Sequence, residues 1–163
     1  MISLKIEEVK PFMAMLLTNS LFDDFVLKDM ELQTFTSFHV SGQLHESFFS
    51  KEELEDRSPA VLWGEIREIA FSIIRGNKSP LMMKIVLQLP ADLVGNLVET
   101  QGGKIRSEEV GGLYLNIRYE KNELHIITGS AIKTFTLDKT LDKEWDEWVK
   151  GFLKGKGILY EEE

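Results

Sequence analysis

Leu81-Met82-Met83-Lys84-Ile85-Val86-Leu87-Gln88-Leu89 is the stretch on which the fold turns. Leu81, Met83, Ile85, Leu87 and Leu89 fall on one side of an extended chain; Met82, Lys84, Val86 and Gln88 fall on the other. A period of two sustained this long predicts a strand with one buried face. Pro90 ends it, because proline has no N–H to give to a sheet. Toward the C-terminus, Leu93, Val94, Leu97 and Val98 predict a short helix from Asp92 to Glu99. Gln101 to Gly112 carries four glycines and reads as a mobile loop. Leu113, Leu115, Ile117 and Tyr119 then alternate with Tyr114, Asn116 and Arg118, Lys121-Asn122 makes a hairpin turn, and Leu124 to Thr128 returns. Gly129-Ser130 is expected to turn the chain once more, into a strand over Ile132 to Leu137. Leu141, Trp145, Trp148, Val149 and Phe152 recur at helical spacing, with acids early and lysines late to complement the helix dipole.

Toward the N-terminus, Ser58, Pro59 and Gly76 bracket a helix over 59–75, with Leu62, Ile66, Ile69 and Ile73 as its core stripe. Ser50 and Glu53 make a capping box for a short acidic helix. Leu32 to His45 returns to period two, as two strands or one long strand bent near Gly42. Glu7 to Leu17 and Leu21 to Phe25 read as helical, and Ile2, Leu4 and Ile6 as one face of a short strand. Residues 159–163, ending in three glutamates, read as a frayed tail. Hairpin-length connections and amphipathic helices together predict an α+β fold: a single domain over 1–163, a mostly antiparallel sheet of about six or seven strands, helices mainly on one face, and a C-terminal amphipathic helix.

The composition agrees with a globular chain. At 163 residues, with 43% hydrophobic and 28% charged positions, the length suits one domain. Asp and Glu number 27 against 19 Lys and Arg, a net charge of -8, which opposes a nucleic-acid partner. The absence of cysteine removes disulfides, thiolate metal sites and thiol nucleophiles. No apolar run approaches the ~20 residues of a membrane span, and acids stand at positions 7 and 8 where a signal peptide would be apolar. The expectation is a cytoplasmic protein without a membrane partner.

Motifs for chemistry are thin. His39 and His45 lie six residues apart on one expected strand face, roughly 20 Å at strand rise, too far to share an ion; His125 belongs to another strand. There is no Gly-x-Ser-x-Gly elbow, and Gly151 to Gly157 lacks the spacing and the Ser or Thr of a phosphate loop. Trp145 and Trp148 read as core, and Trp63, beside its helix stripe, as core or half exposed. No catalytic residue, metal ligand or cofactor is assigned. What remains is a set of polar residues on the non-core strand faces. Were those faces to align, Lys84, Gln88, Asn116, Arg118 and His39 would form a polar, partly cationic surface, with Lys84 and Arg118 supplying the charge.

Several segments are similar to a known family. Ile2-Ser-Leu-Lys-Ile6, Lys10-Pro-Phe-Met13 running into Leu21-Phe-Asp-Asp-Phe25, Thr34-Phe-Thr-Ser-Phe38 followed by Gly42, Leu62-Trp63, Ile74-Arg-Gly76, Lys78-Ser-Pro80 and Lys84-Ile-Val-Leu-Gln-Leu89 together resemble a small family of uncharacterised bacterial proteins, a domain of unknown function. The resemblance implies a bacterial cytosolic protein of unassigned activity and brings no site residues with it. The leading expectation is a non-enzymatic protein that binds a partner or a small, anionic ligand through the polar sheet face. The alternatives are a hydrolase using His39 or His125 with a nearby carboxylate, and a homodimer formed through Phe12, Met13, Met15 and Leu16 of the first helix.

Overall fold

Lys121 and Asn122 both take left-handed backbone angles (φ 53° and 64°), the pair that a two-residue hairpin needs to match the twist of its strands. They join β5 (Val110–Glu120) to β6 (Glu123–Ile132) in a computed structural model that describes residues 1–100 and 105–163. Around this hairpin are assembled β1 (Ser3–Ile6), β2 (Val26–Gln33), β3 (Ser37–Ser41), β4 (Met82–Gln88) and β7 (Tyr160–Glu162). The sheet order is β3-β2-β4-β5-β6-β1-β7, and every neighbouring pair is antiparallel. The helices are α1 (Val9–Thr18), α2 (Lys51–Glu55), α3 (Trp63–Ile74), α4 (Ala91–Thr100) and α5 (Thr140–Gly155). The protein is α+β.

Alternation decides which sheet face is covered. Leu4 and Ile6 of β1, Leu27, Met30 and Leu32 of β2, Met83, Ile85 and Leu87 of β4, Leu115 and Ile117 of β5, and Leu124 and Ile126 of β6 are all buried. They share one core with Phe12, Leu16 and Leu17 of α1, Trp63 and Ala70 of α3, Val94, Leu97 and Val98 of α4, and Leu141, Trp145, Val149 and Leu153 of α5. Each such side chain contributes roughly 1.5–3 kcal/mol by leaving water. Two indoles tie this layer together while satisfying their own N–H groups. Trp63 Nε1 donates to the Leu16 carbonyl at 2.9 Å, binding α3 to α1, and Trp145 Nε1 donates to the Tyr114 carbonyl at 3.2 Å, binding α5 to β5.

Several expectations are corrected. The period-two run breaks at Thr34-Phe35-Thr36, not near Gly42, so it holds the β2–β3 hairpin. β2 begins well upstream, at Val26, where Leu21 to Phe25 forms turns and not a helix. Its start is masked in the sequence by a register shift between Leu27 and Asp29. Gly42 lies against this irregularity: a Cβ there would come within 2.7 Å of the Leu27 carbonyl carbon and 2.8 Å of Lys28 Cα.

α3 starts at Trp63, not at Pro59, and Leu62 caps it; the Glu65 carboxylate accepts from the Leu62 N–H at 3.0 Å. Its buried face carries Trp63 and Ala70, while Ile69, expected in the stripe, is 52% exposed. Ile66 and Ile73 of the expected stripe are partly buried against the core beside Trp63 and Ala70, so the stripe is present with Ile69 off its edge.

Of the expected loop, Ser107–Glu109 is a 3-10 turn and Val110 to Gly112 opens β5, with 101–104 outside the described residues. Gly129 and Ser130 do not turn: they pair with Tyr114 and Leu113, and β6 runs on to Ile132, so the expected strand up to Leu137 is absent. The tail is not frayed. Residues 160–162 form β7 on β1, and the Glu163 N–H donates to the Ser3 carbonyl at 2.8 Å. Side chains hold it as well: Tyr160 packs against the core, Lys150 of α5 reaches Glu162 at 2.9 Å, and His125 Nε2 lies 2.8 Å from Glu163 Oε1.

Candidate functional site

The sheet face opposite the core is where the polar residues gather, and strand register sets their order. His39 pairs with Glu31, Glu31 with Lys84, Lys84 with Arg118, Arg118 with His125, His125 with Lys5, and Lys5 with Glu161. Seven ionisable side chains thus form one file across all seven strands. At ~4.8 Å between strands, its basic run from Lys84 through Arg118 and His125 to Lys5 spans roughly 14 Å. The neighbouring file reads Ser41, Asp29, Val86, Asn116, Ile127 and Ser3. Beyond it stand Gln88 and Tyr114, paired with each other. Gly112 makes room there, since any Cβ at 112 would collide with the Tyr114 phenol folded back over it.

The expected site residues therefore share a face but not a point. Lys84 and Arg118 are directly opposite on β4 and β5, and Asn116 lies in the next file, its Nδ2 donating to the Ile127 carbonyl at 3.1 Å. Gln88 is four residues along β4 from Lys84, roughly 13 Å at strand rise. His39 stands on the outer strand, two strands from Lys84 with Glu31 between, and its Nε2 meets Asp29 Oδ1 at 2.6 Å. Two members of the basic run, His125 and Lys5, were not among the expected binding residues. Each is an isolated polar position in its own strand, and only the pairing of β1 with β6 brings them into line.

Acids neutralise most of this run but not all of it. Glu163 takes His125, Glu123 takes Lys5 at 3.4 Å, and Glu120 sits 3.9 Å from Arg118. The Glu31 carboxylate, beside Lys84 by register, accepts from Gln33 Nε2 at 3.2 Å. Lys84 joins no ion pair among the described residues. Like charges directly opposite on a sheet destabilise it, so Lys84, which has no ion pair among the described residues, stands against an Arg118 that only the exposed Glu120 answers, on an uncovered surface.

The other expected constellations come out differently. His45 lies outside any strand, just before a 3-10 turn, and does not share the β3 face with His39. His39 and His125 each hold a carboxylate, His39 on the open edge of the sheet and His125 in a shallow depression of about 460 Å³ beside Arg118 and Ser3. Neither has a serine or threonine hydroxyl in hydrogen-bond contact among the described residues. Among those residues, no group of three or more metal-ligating side chains is arranged to hold an ion, and no helix is long and apolar enough to cross a membrane. The first helix offers no exposed apolar face of the expected composition, because Phe12 and Leu16 are buried in the core and Met13 and Met15 pack against it.

The class defined by fold and face is an α+β protein with a seven-stranded antiparallel sheet, helices on one side and a charged, open surface on the other. The chain belongs to the DUF5721 family, a family of unknown function, with the match covering residues 15–161, in agreement with the resemblance read from the sequence. No curated protein and no solved structure matches it.

Proposed function

We propose that this protein is a binding module whose open sheet face receives a short acidic segment of a partner protein, with Lys84 and Arg118 taking its carboxylates. The observation that carries this reading is the register pairing of Lys84 with Arg118 on the bare face. A carboxylate lying between them exchanges their repulsion for charge-assisted hydrogen bonds. Half-buried Val86 and Ile127 in the adjacent file add apolar contact, and the Asn116 side-chain oxygen is left as an acceptor for a partner N–H. The open, shallow shape suits a chain segment better than an enclosed small molecule. The net charge of -8 disfavours a long polyanion but leaves room for a short acidic segment, since repulsion from distant charges is screened beyond ~8 Å at physiological salt. The proposed setting is the cytoplasm, with which a cysteine-free chain is consistent.

Titration of the isotope-labelled protein with a hexaglutamate peptide tests the reading by nuclear magnetic resonance. The expected result is amide shifts confined to β4, β5 and β6, weakened by salt and lost in the Lys84→Gln/Arg118→Gln variant. Shifts centred elsewhere, no shifts, or unchanged shifts in that variant overturn it.

A further inference from the structure

We infer that the cleft between α1 and the C-terminal end of α3 is a second binding site, built for a small amphiphilic anion: an apolar body carrying one carboxylate or phosphate head. The cleft is an open groove of about 560 Å³, within the ~300–1,000 Å³ of small-molecule sites. Its apolar walls are Met13 and Leu17 of α1 and Phe71 and Ile74 of α3. Phe71, a large aromatic, is left 38% exposed there.

The charge around these walls has one sign. Lys10, Arg75 and Lys78 line the cleft, and no Asp or Glu does, in a chain where acids outnumber Lys and Arg by 27 to 19. None of the three cations joins an ion pair among the described residues. The contrast with neighbouring arginines is direct. Arg57 holds Glu65 at 2.9 Å and Arg67 holds Asp23 at 2.8 Å, each binding an acid at or near the first half of α3, whereas Arg75 at the helix end holds none. At the base, the Tyr119 hydroxyl donates to Asn122 Oδ1 at 3.2 Å, which leaves the Asn122 Nδ2 hydrogens as further donors. A ligand that buries its body against Met13, Leu17, Phe71 and Ile74 brings its head to Arg75 and Lys78, so both halves of the cleft are used. A purely polar anion wastes the walls, and a neutral apolar one leaves the cations unanswered.

This site does not use the sheet face, and the test separates the two. Dodecanoate and dodecyl phosphate, each below its micellar concentration, are titrated calorimetrically against the whole protein, with dodecylamine as the same chain bearing a cationic head. The expected result is saturable one-to-one binding of at least one anion, dodecylamine at least tenfold weaker, and at least tenfold loss of anion affinity in Arg75→Gln/Lys78→Gln at an unchanged melting temperature. Which anion binds more tightly identifies the head group. The Lys84→Gln/Arg118→Gln variant is expected to bind these probes as the unsubstituted protein does, so hexaglutamate binding and anion binding succeed or fail separately. No saturable binding of either anion, equal binding of dodecylamine, or indifference to Arg75→Gln/Lys78→Gln overturns the inference.

Discussion

Along β4, Met83, Ile85 and Leu87 alternate with Lys84, Val86 and Gln88, and the two sets are governed by different physics. The first set is sealed under the helices, where each residue's contribution follows from its own size and apolarity. The second set lies on the bare face, where a residue matters through what stands beside it on the next strand. Lys84 is unremarked within its strand. It becomes a charged centre only opposite Arg118, more than thirty residues away in sequence. Burial can be read strand by strand; the chemistry of an open sheet face is a property of the register.

The sharpest way to break this comparison is to truncate adjacent residues of one strand. Ile85→Ala is expected to cost about 2–5 kcal/mol in urea unfolding, and Val86→Ala less than ~1 kcal/mol; similar losses would mean that the two faces are not distinct. Gly42→Ala comes next, at about 1–3 kcal/mol, because its new methyl meets backbone atoms of Leu27 and Lys28 that cannot swing aside. Its effect should be centred on β2 and β3 in amide hydrogen exchange. On the open face, Lys84→Gln is expected to leave stability within ~0.5 kcal/mol, since it removes the like-charge opposition to Arg118 together with the opposite-charge one to Glu31. A clear loss would reveal a structural partner for Lys84.

The smallest effect is on pH dependence at the sheet edge. The hydrogen bond from Lys150 to Glu162 raises the lysine pKa above its ordinary value, against the opposing pull of desolvation. The folded state therefore keeps a proton that the unfolded chain releases near pH ~10.4. This contribution is complete below that pH and is lost as pH rises through the folded value. Lys150→Met is expected to flatten the alkaline limb of a melting-temperature profile while leaving the neutral region nearly unchanged.

What was legible in the sequence was local. The Ser50–Glu53 capping box, the Lys121-Asn122 turn, β4 and the apolar stripe of α5 each depend on residues within a few positions of one another, and each is present. The misreadings have non-local causes. The Leu27/Asp29 shift breaks the alternation that would have announced β2, Trp63 is buried at the start of α3 where its indole reaches Leu16, and β5 keeps Gly129-Ser130 extended against the local preference of those residues for a turn. The candidate site divides in the same way. Period two was enough to put Lys84, Gln88, Asn116, Arg118 and His39 on non-core faces; it could not show that Lys5 and His125 extend the line or that Gln88 stands apart.

The position of β1 has a consequence for how the chain is made. β1 lies between β6 and β7, so Leu4 and Lys5 find their first strand partners at Ile126 and His125 and their second at Glu162 and Glu161. On a ribosome adding ~5–20 residues per second, Leu4 waits roughly 6–24 s for Ile126, and Leu4 and Ile6 wait roughly 8–32 s for Glu162 and Tyr160. Closing so long a loop is slow compared with closing a local hairpin. Of these seven strands the earliest in the chain is thus among the last to be sealed, and until then its apolar side is a surface that a chaperone can hold.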